Sequence, residues 1–362
     1  PQPFFSPRGT PFSVYYRTMV MSEMGLKIDM VTYGEGQDVD LPNVTIHRIP
    51  SFRRLGPIRI GPSLHKLFLD AFIIVLAFRL LISKRYDIVH AHEEAVFFCM
   101  FLKPIFRYQL IYDMHSSLPQ QLTNFDFTKS KFLIGIFEML EKQALRSADA
   151  VITICPDLAA YVQKTIADRS KHVMIENSLF EPVKIRRRKD EAPAPVNDQL
   201  LDLLEALKKE PKLVVYAGTL EPYQGIDILL EAIEIVHHSD PAVRLVVAGG
   251  SPQQVARYRQ LADRLEIASS VCFIGQVPQH IAQRLSELAK AQVSPRSTGT
   301  NTPLKIYSQL ASGIPLVATN IYSHRQTIDD EVAFMVDPNA ESMAAGILEA
   351  LNSKDKARQI AQ

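Results

Sequence analysis

The sequence predicts an α/β protein built from two doubly wound halves. Three observations predict it. The chain has 362 residues, enough for two domains of roughly 150 residues each. Short apolar runs alternate with helical patterns up to about residue 182, and the same alternation resumes after residue 200, beyond a polar break. Strands joined by helical crossovers form parallel sheets covered on both faces. The predicted organisation is therefore a first domain at 1–182, a linker at 183–200 and a second domain at 201–362.

In the first half, strands are expected at 27–33, 44–49, 87–90, 109–112, 150–154 and 172–175, where β-branched and aromatic residues cluster between turn formers. Helices are expected between them at 12–24, 64–83, 95–101, 132–145 and 157–166. The stretch 64–82 is very apolar, but Lys66, Asp70 and Arg79 interrupt it and its longest charge-free run is 71–78. A bilayer span needs about 20 apolar residues, so this is read as a buried or surface-bound helix. The break at 183–197, VKIRRRKDEAPAPVN, holds a charge cluster and two Ala-Pro steps. It reads as a solvated linker, with phosphate or membrane contact by Arg186, Arg187, Arg188 and Lys189 as the other reading. In the second half, strands are expected at 213–217, 244–248, 271–274, 291–294 and 316–318, and helices at 225–236, 252–265, 280–289, 304–311 and 340–351.

Composition excludes several classes. Apolar residues make up 47% and charged residues 22%, which rules out a disordered chain, a collagen or a coiled-coil rod. Lys+Arg number 40 against 39 Asp+Glu, so the net charge of +1 gives no reason to expect nucleic acid. The three cysteines, Cys99, Cys155 and Cys272, form neither a disulfide framework nor a CxxC pair, as expected in a reducing cytosol. HExxH, GxSxG and GxxxxGK[ST] are absent, which removes zincin, serine-hydrolase and P-loop readings. Asp38-Val39-Asp40 has the DxD spacing of a metal-carboxylate site, but its polar setting GEGQDVDLPN reads as a solvated turn, and no metal is expected.

In doubly wound sheets, ligands bind at the carboxyl ends of strands where strand order reverses. The loop after 213–217 runs from Gly218 and Thr219 through Gln224 to Gly225, and free backbone N–H groups at the helix start there suit a phosphate. After 244–248, Gly249 and Gly250 permit close approach of a flat ligand. The most informative segment is SPRSTGTNTPLKIYSQLASGIPLVAT at 294–319. A Gly/Thr/Asn loop leads to Pro303 in the first turn of a helix, where a missing N–H is harmless. The N–H groups of Leu304 and Lys305, with the Lys305 charge, then form a diphosphate cradle.

AGTLEPYQGIDILLEA, RLVVAGG, VCFIGQVP and GTNTPLKIYSQLASGIPLVAT, in this order, resemble the nucleotide-sugar half of GT-B glycosyltransferases of family 4. SPRGTPFSVYYR, DIVHAHEE, IYDMHSS, EKQALRSADAVITIC and IENSL resemble the other half. The resemblance implies two Rossmann-like domains facing across a cleft. It also implies transfer of a sugar from a nucleotide diphosphate sugar to an acceptor hydroxyl, a glycan or lipid-linked saccharide. Configuration would be retained, with no cofactor or metal beyond the donor itself, and closure would exclude water. By the same resemblance His115 contacts the donor sugar, Lys305 stabilises the departing diphosphate, and Gly9 passes near the phosphates. Arg8 adds charge there or faces solvent. His92 and Glu93 line the acceptor side, while His90 packs at the strand end. The base lies near Gly275 and Gln276.

The sequence departs from the family pattern at four positions. Thr219 and Gln224 stand where an Arg and a Lys commonly meet the diphosphate, and Thr300 and Ser308 where two Glu commonly meet sugar and ribose. Hydroxyls still hydrogen-bond but carry no charge. The donor is then expected to rest on Lys305, on the backbone of Asn301, Thr302, Pro303 and Leu304, and on the glycine loops. Two alternatives stand beside this function: a non-catalytic sugar or nucleotide-sugar binding relative, and a nucleotide-sugar epimerase of the same fold.

Phe52, Arg53, Arg54, Arg59 and Lys66 precede the apolar helix, and Phe97, Phe98, Phe101, Lys103, Phe106 and Arg107 follow it. They read as core and ordinary surface, or as a basic-apolar face on an anionic membrane, at the cytoplasmic side of a cell membrane. The family's first strand and closing helix have no counterpart here. The chain is therefore expected to be part of a longer reading frame and less stable than with its flanks.

Overall fold

A computed structural model describes residues 1–6, 9–52, 63–119, 130–176 and 198–353, together with 357 and 360. The chain divides into two compact units, Pro1–Asp190 and Glu191–Gln362. The linker expected at 183–200 lies outside the described residues except for its last three, which already belong to a helix at Asp198–Leu207.

The second unit holds a six-stranded parallel sheet. Its strands are β7 (Leu213–Ala217), β8 (Arg244–Ala248), β9 (Val271–Gly275), β10 (Ala291–Ser294), β11 (Leu316–Thr319) and β12 (Phe334–Val336), in the spatial order β12-β11-β10-β7-β8-β9. Alternate side chains go to opposite faces, as strand geometry requires. Val214 and Tyr216 join Leu229, Leu230, Ile233 and Ile347 on one face, while Leu213 and Val215 join Leu204, Leu207, Ile281 and Leu285 on the other. Each such fully buried side chain stabilises the unit by roughly 1.5–3 kcal/mol relative to exposure. The chain runs outward from β7 through β8 to β9, then returns to place β10 on the other side of β7. That reversal opens the carboxyl ends of β7 and β10, and it fixes where a ligand can enter.

The first unit has two parallel sheets among its described residues. One pairs β1 (Ile28–Thr32) with β2 (Val44–Arg48), and the other has the order β3-β4-β5-β6, with β3 at Ile88–His92, β4 at Gln109–Met114, β5 at Ala150–Thr153 and β6 at His172–Met174. Beside β1, the Tyr33 N–H donates to the Gln2 carbonyl at 3.3 Å. Two helices matter below: α1 (Gly9–Glu23) and α2 (Leu64–Ser83). The third, α3 (Ala95–Phe106), runs past its expected end at 101 and through Pro104, because Leu102 and Phe106 still pack on the core. Strand β3 likewise extends two residues beyond expectation, so His92 lies in the strand and not in the loop after it. Gly9 opens α1 and is not part of a loop. Arg8 lies outside the described residues, as do Arg53, Arg54 and Arg59.

Candidate active site

In the second unit, the loops after β7 and β10 lie side by side. Gly225 starts helix α7 (Ile226–Ser239) with φ at 68°, and a Cβ there would lie 2.0 Å from the Pro295 carbonyl oxygen. Only glycine permits that approach. The Ser297 N–H donates to the Tyr223 carbonyl at 3.0 Å and ties the loops together. A third loop joins them: a Cβ on Gly249, at φ 123°, would meet the Gly218 carbonyl oxygen at 1.8 Å. The Gly249 N–H donates to the Gly275 carbonyl at 2.6 Å, so one acceptor of the segment expected to read the base is already engaged. Gly250 packs against Leu220, and Gln276 is exposed.

Lys305 sits at the crossing. Its Nζ donates to Gln224 Oε1 at 3.2 Å and lies 4.2 Å from the centre of the Tyr216 ring. Gln224 Nε2 in turn donates to Thr219 Oγ1 at 3.4 Å, and the Tyr216 hydroxyl donates to the Thr219 carbonyl at 2.6 Å. Gly218 keeps this face open, since a Cβ there would be 2.9 Å from the Tyr216 hydroxyl and 3.6 Å from Lys305 Nζ. No carboxylate pairs with Lys305 among the described residues. Burial, then the nearby Arg296 charge, pull the ammonium down to about 7. Two of the four departing positions therefore prop one lysine with polar groups, Gln224 directly and Thr219 through Gln224.

The remaining expected donor residues divide. Helix α10 is Lys305–Ala311, with Leu304 at its N-cap. Pro303 thus precedes the helix and does not sit in its first turn; its carbonyl accepts the Ile306 N–H at 3.0 Å. Thr302 is buried and accepts a hydrogen bond from the Thr327 hydroxyl at 3.2 Å, and the Thr300 carbonyl accepts from Gln326. Asn301 gives its carbonyl to Arg296 Nη1 at 3.0 Å. Ser308 is exposed and donates to the Lys305 carbonyl at 2.8 Å, bonded within its own helix. Behind the loop, buried His324 joins β10 to β11: Nε2 accepts from the Ser294 hydroxyl at 3.0 Å and Nδ1 donates to the Thr319 carbonyl at 2.7 Å. Burial holds this imidazole neutral, down to about 4.

The first unit gathers a second polar cluster around Asp113 on β4. His90 Nε2 lies 3.0 Å and His92 Nδ1 3.3 Å from Asp113 Oδ2, and His115 Nε2 lies 3.3 Å from Oδ1. The His92 and His115 nitrogens are 3.2 Å apart, and the His90 and His92 rings stack at 4.7 Å. Arg17 of α1 binds the same carboxylate and donates to the Ile175 carbonyl at 3.0 Å. Burial opposes the charge on Asp113, but His115, His92 and the imidazole hydrogen bonds outweigh it and hold the carboxyl well below its ordinary range. Burial pushes His92 well below the ordinary imidazole range. The donor atoms of His90, His92 and Asp113 lie within 4.8 Å of one another, a spacing that suits a metal ion, although Arg17 already supplies that carboxylate with positive charge.

His92 and Glu93, expected on the acceptor side, and His115, expected at the donor sugar, lie near one another in the first unit; Asp113 and Arg17 were not among the expected residues, and His90 was expected at the strand end. His90 instead lies mid-strand and bonds to Asp113. The signal was present in part: His90 and His92 are two apart along β3 and share a face, and His115 follows Asp113 at the same spacing just past the end of β4. Glu93 is buried with φ at 51°, its carboxylate accepts from the Ser116 hydroxyl at 2.7 Å, and burial raises its pKa. Asp38 of the DxD pairs with Arg48 at 2.7 Å, and Val39 between the acids packs in the core.

Comparison with known proteins gives a consistent picture. Residues 204–362 match the model of glycosyl transferases group 1, and residues 20–178 match the glycosyl transferase 4-like domain. A phosphatidyl-myo-inositol mannosyltransferase from Mycobacterium leprae is 22% identical over 99% of this chain and 87% of its own length. A D-inositol 3-phosphate glycosyltransferase from Thermomonospora curvata is 29% identical over 42% of this chain, a stretch that spans only 37% of that relative. The crystal structure of Anabaena HepE in complex with UDP superposes with a TM-score of 0.69 at 16% identity, over 99% of this chain and 91% of that one. Two family models that between them take in most of both units, and a shared two-domain fold, place the chain among the GT-B glycosyltransferases of family 4, a family of transferase enzymes.

Proposed function

We propose that the protein transfers a sugar from a nucleotide diphosphate sugar to an acceptor hydroxyl, with retention of configuration and without a metal. One observation carries the reading. A half-buried lysine with no carboxylate partner among the described residues stands beside a bare glycine at the point where strand order reverses. An uncompensated charge in such a place favours an anion, and a diphosphate supplies one. The complex of Anabaena HepE with UDP supports a nucleotide donor for this site.

In this reading Lys305 and the opening N–H groups of α10 hold the diphosphate and stabilise charge as it departs. The leaving phosphate takes the acceptor proton on the same face, and His115, held by Asp113 and His92, orients the donor sugar. Glu93 and His92 belong to the acceptor side. The acceptor is a glycan or lipid-linked saccharide. Thermal-shift screening against UDP-, GDP- and ADP-sugars identifies the donor. Turnover by Lys305→Ala is expected to fall about 10²–10³-fold, the loss of one transition-state charge contact; unchanged turnover would remove Lys305 from the mechanism. Product analysis without acceptor tests the neighbouring chemistry: a converted free donor would mean epimerisation, and binding with no product from any acceptor would mean a non-catalytic relative.

A further inference from the structure

We propose that Arg296 is a second phosphate-binding cation of this site, paired with Lys305 and replacing the positive charges absent at Thr219 and Gln224. The inference rests on the donor reading above and adds a residue to it.

The loop that follows β10 folds around the Arg296 side chain. Its Nε donates to the Thr298 carbonyl at 2.7 Å and its Nη1 to the Asn301 carbonyl at 3.0 Å. Gly299, at φ 130°, lies so close that a Cβ there would be 2.1 Å from Nη2. The guanidinium carbon lies 5.2 Å from the centre of the Tyr223 ring, in the loop that carries Gln224. These contacts fix the guanidinium without neutralising it. Carbonyls and an aromatic face are its partners, and no carboxylate pairs with it among the described residues. Two of its five N–H groups are engaged by those carbonyls, which leaves donors for a ligand.

Lys305 has the same character: a Gln oxygen, an aromatic ring and no counter-ion. The two charges feel each other, since Arg296 disfavours the Lys305 ammonium and both disfavour a charged His324. Desolvating two like charges together is costly unless an anion completes the set. The loop ties Ser297 N–H to Tyr223 carbonyl and Thr319 hydroxyl to Arg296 carbonyl, at 3.0 and 2.5 Å, keep the guanidinium where strand order reverses. A planar fork on this rigid loop suits a phosphate better than a lysine would. A guanidinium whose job ended with the loop carbonyls would stabilise the loop equally well with a carboxylate beside it.

The test measures binding of inorganic pyrophosphate, of UDP, GDP and ADP, and of uridine to the full chain by calorimetry, for the wild type, Arg296→Gln and Arg296→Lys. Arg296→Gln is expected to weaken pyrophosphate and UDP by about 10- to 100-fold, the loss of one charge-assisted hydrogen bond, and to leave uridine within about twofold. Arg296→Lys is expected to recover part of the loss, and it serves alone if the Gln variant does not fold. Wild-type affinity for pyrophosphate retained by Arg296→Gln overturns the inference while leaving the donor reading intact. Equal losses for uridine and pyrophosphate in both variants show a loop support only and also overturn it. A wild type that binds pyrophosphate but none of UDP, GDP or ADP refutes the nucleotide-donor reading and leaves the cation pair standing; a wild type that binds none of these refutes both.

Discussion

Lys305 and Asp113 show how burial sets the behaviour of a charged residue. The Lys305 ammonium titrates near 7 because burial and Arg296 disfavour its charge. The protonated form binds a diphosphate, so in the free protein the competent fraction shrinks as pH rises through that value. Donor affinity is therefore expected to fall from pH 6 to pH 8.5 and proton uptake to accompany binding. Calorimetry in buffers of different ionisation enthalpy reads both; a pH-independent affinity would contradict the assignment. Asp113 lies at the opposite extreme. Its carboxyl is held well below its ordinary range, so the stability it contributes is present above the unfolded value and is lost as pH falls toward the folded one. Asp113→Asn removes the carboxylate that neutralises Arg17 at a site largely shielded from solvent. A cost of about 3–5 kcal/mol is expected in urea unfolding. Lys305 was readable in the sequence because a lysine at a helix start after a Gly/Thr/Asn loop is a local pattern. Arg296 was not, since its value depends on the loop carbonyls around it; for Asp113 the two-residue spacings were visible, but not the meeting of His90, His92 and Arg17, all distant in sequence, on its carboxylate.

The loops owe their shape to glycine, and two of them make a controlled comparison. Gly225 and Gly275 have nearly equal positive φ, 68° and 69°, so both substitutions to Ala carry the left-handed penalty of about 1–2 kcal/mol. They differ in space. A Cβ at Gly275 meets nothing within 4 Å, whereas at Gly225 it enters the Pro295 carbonyl. Gly225→Ala is expected to lose about 1–3 kcal/mol more stability than Gly275→Ala, the usual cost of forcing extra atoms into occupied space, and to weaken donor binding as the two loops part. Equal losses would show that the loops are free to separate. Most elements followed from pattern: β7 and β8 match expectation at both ends because their apolar runs, LVVYA and RLVVA, are bounded by turn residues, and β10 matches as well. The misses have physical causes. Strand β12 is three residues long, too short to show a period. The helix at Asp198–Leu207 has clear helical spacing of its leucines, but its first three residues adjoin the polar break and fall in the expected linker, and no element was expected for the rest. Pro104 looks like a stop, yet the core contacts of Leu102 and Phe106 outweigh one lost backbone bond.

The protein taken entire has a net charge of +1, so any attraction to a membrane must come from a local surface and not from the overall charge. The first unit offers such a place. Helix α2 exposes Leu67, Val75, Phe78 and Ile82, and α3 exposes Phe101 and Ile105, with the Phe78 and Phe106 rings in contact at 5.9 Å. Among the described residues no helix is long and apolar enough to cross a membrane. One expected contributor is withdrawn: Lys66 is buried and pairs with Glu94 at 3.1 Å, turned away from solvent. Lys103 is likewise engaged, by Asp149 at 2.7 Å. If the proposed acceptor is lipid-linked, this face is expected to rest in the headgroup region. Removing apolar side chains should then matter more than adding salt, because burial of alkyl groups contributes about 0.8 kcal/mol per CH₂ while surface charge is screened within about 10 Å at 0.1 M salt. The wild type is expected to co-sediment with vesicles containing anionic lipid and to remain bound at 0.5 M salt. Val75→Glu with Ile82→Glu should release it while leaving the thermal midpoint and transfer to a soluble acceptor unchanged. Release of the wild type by salt alone would assign the attraction to charge, and unaltered binding of the double variant would clear this face of any role.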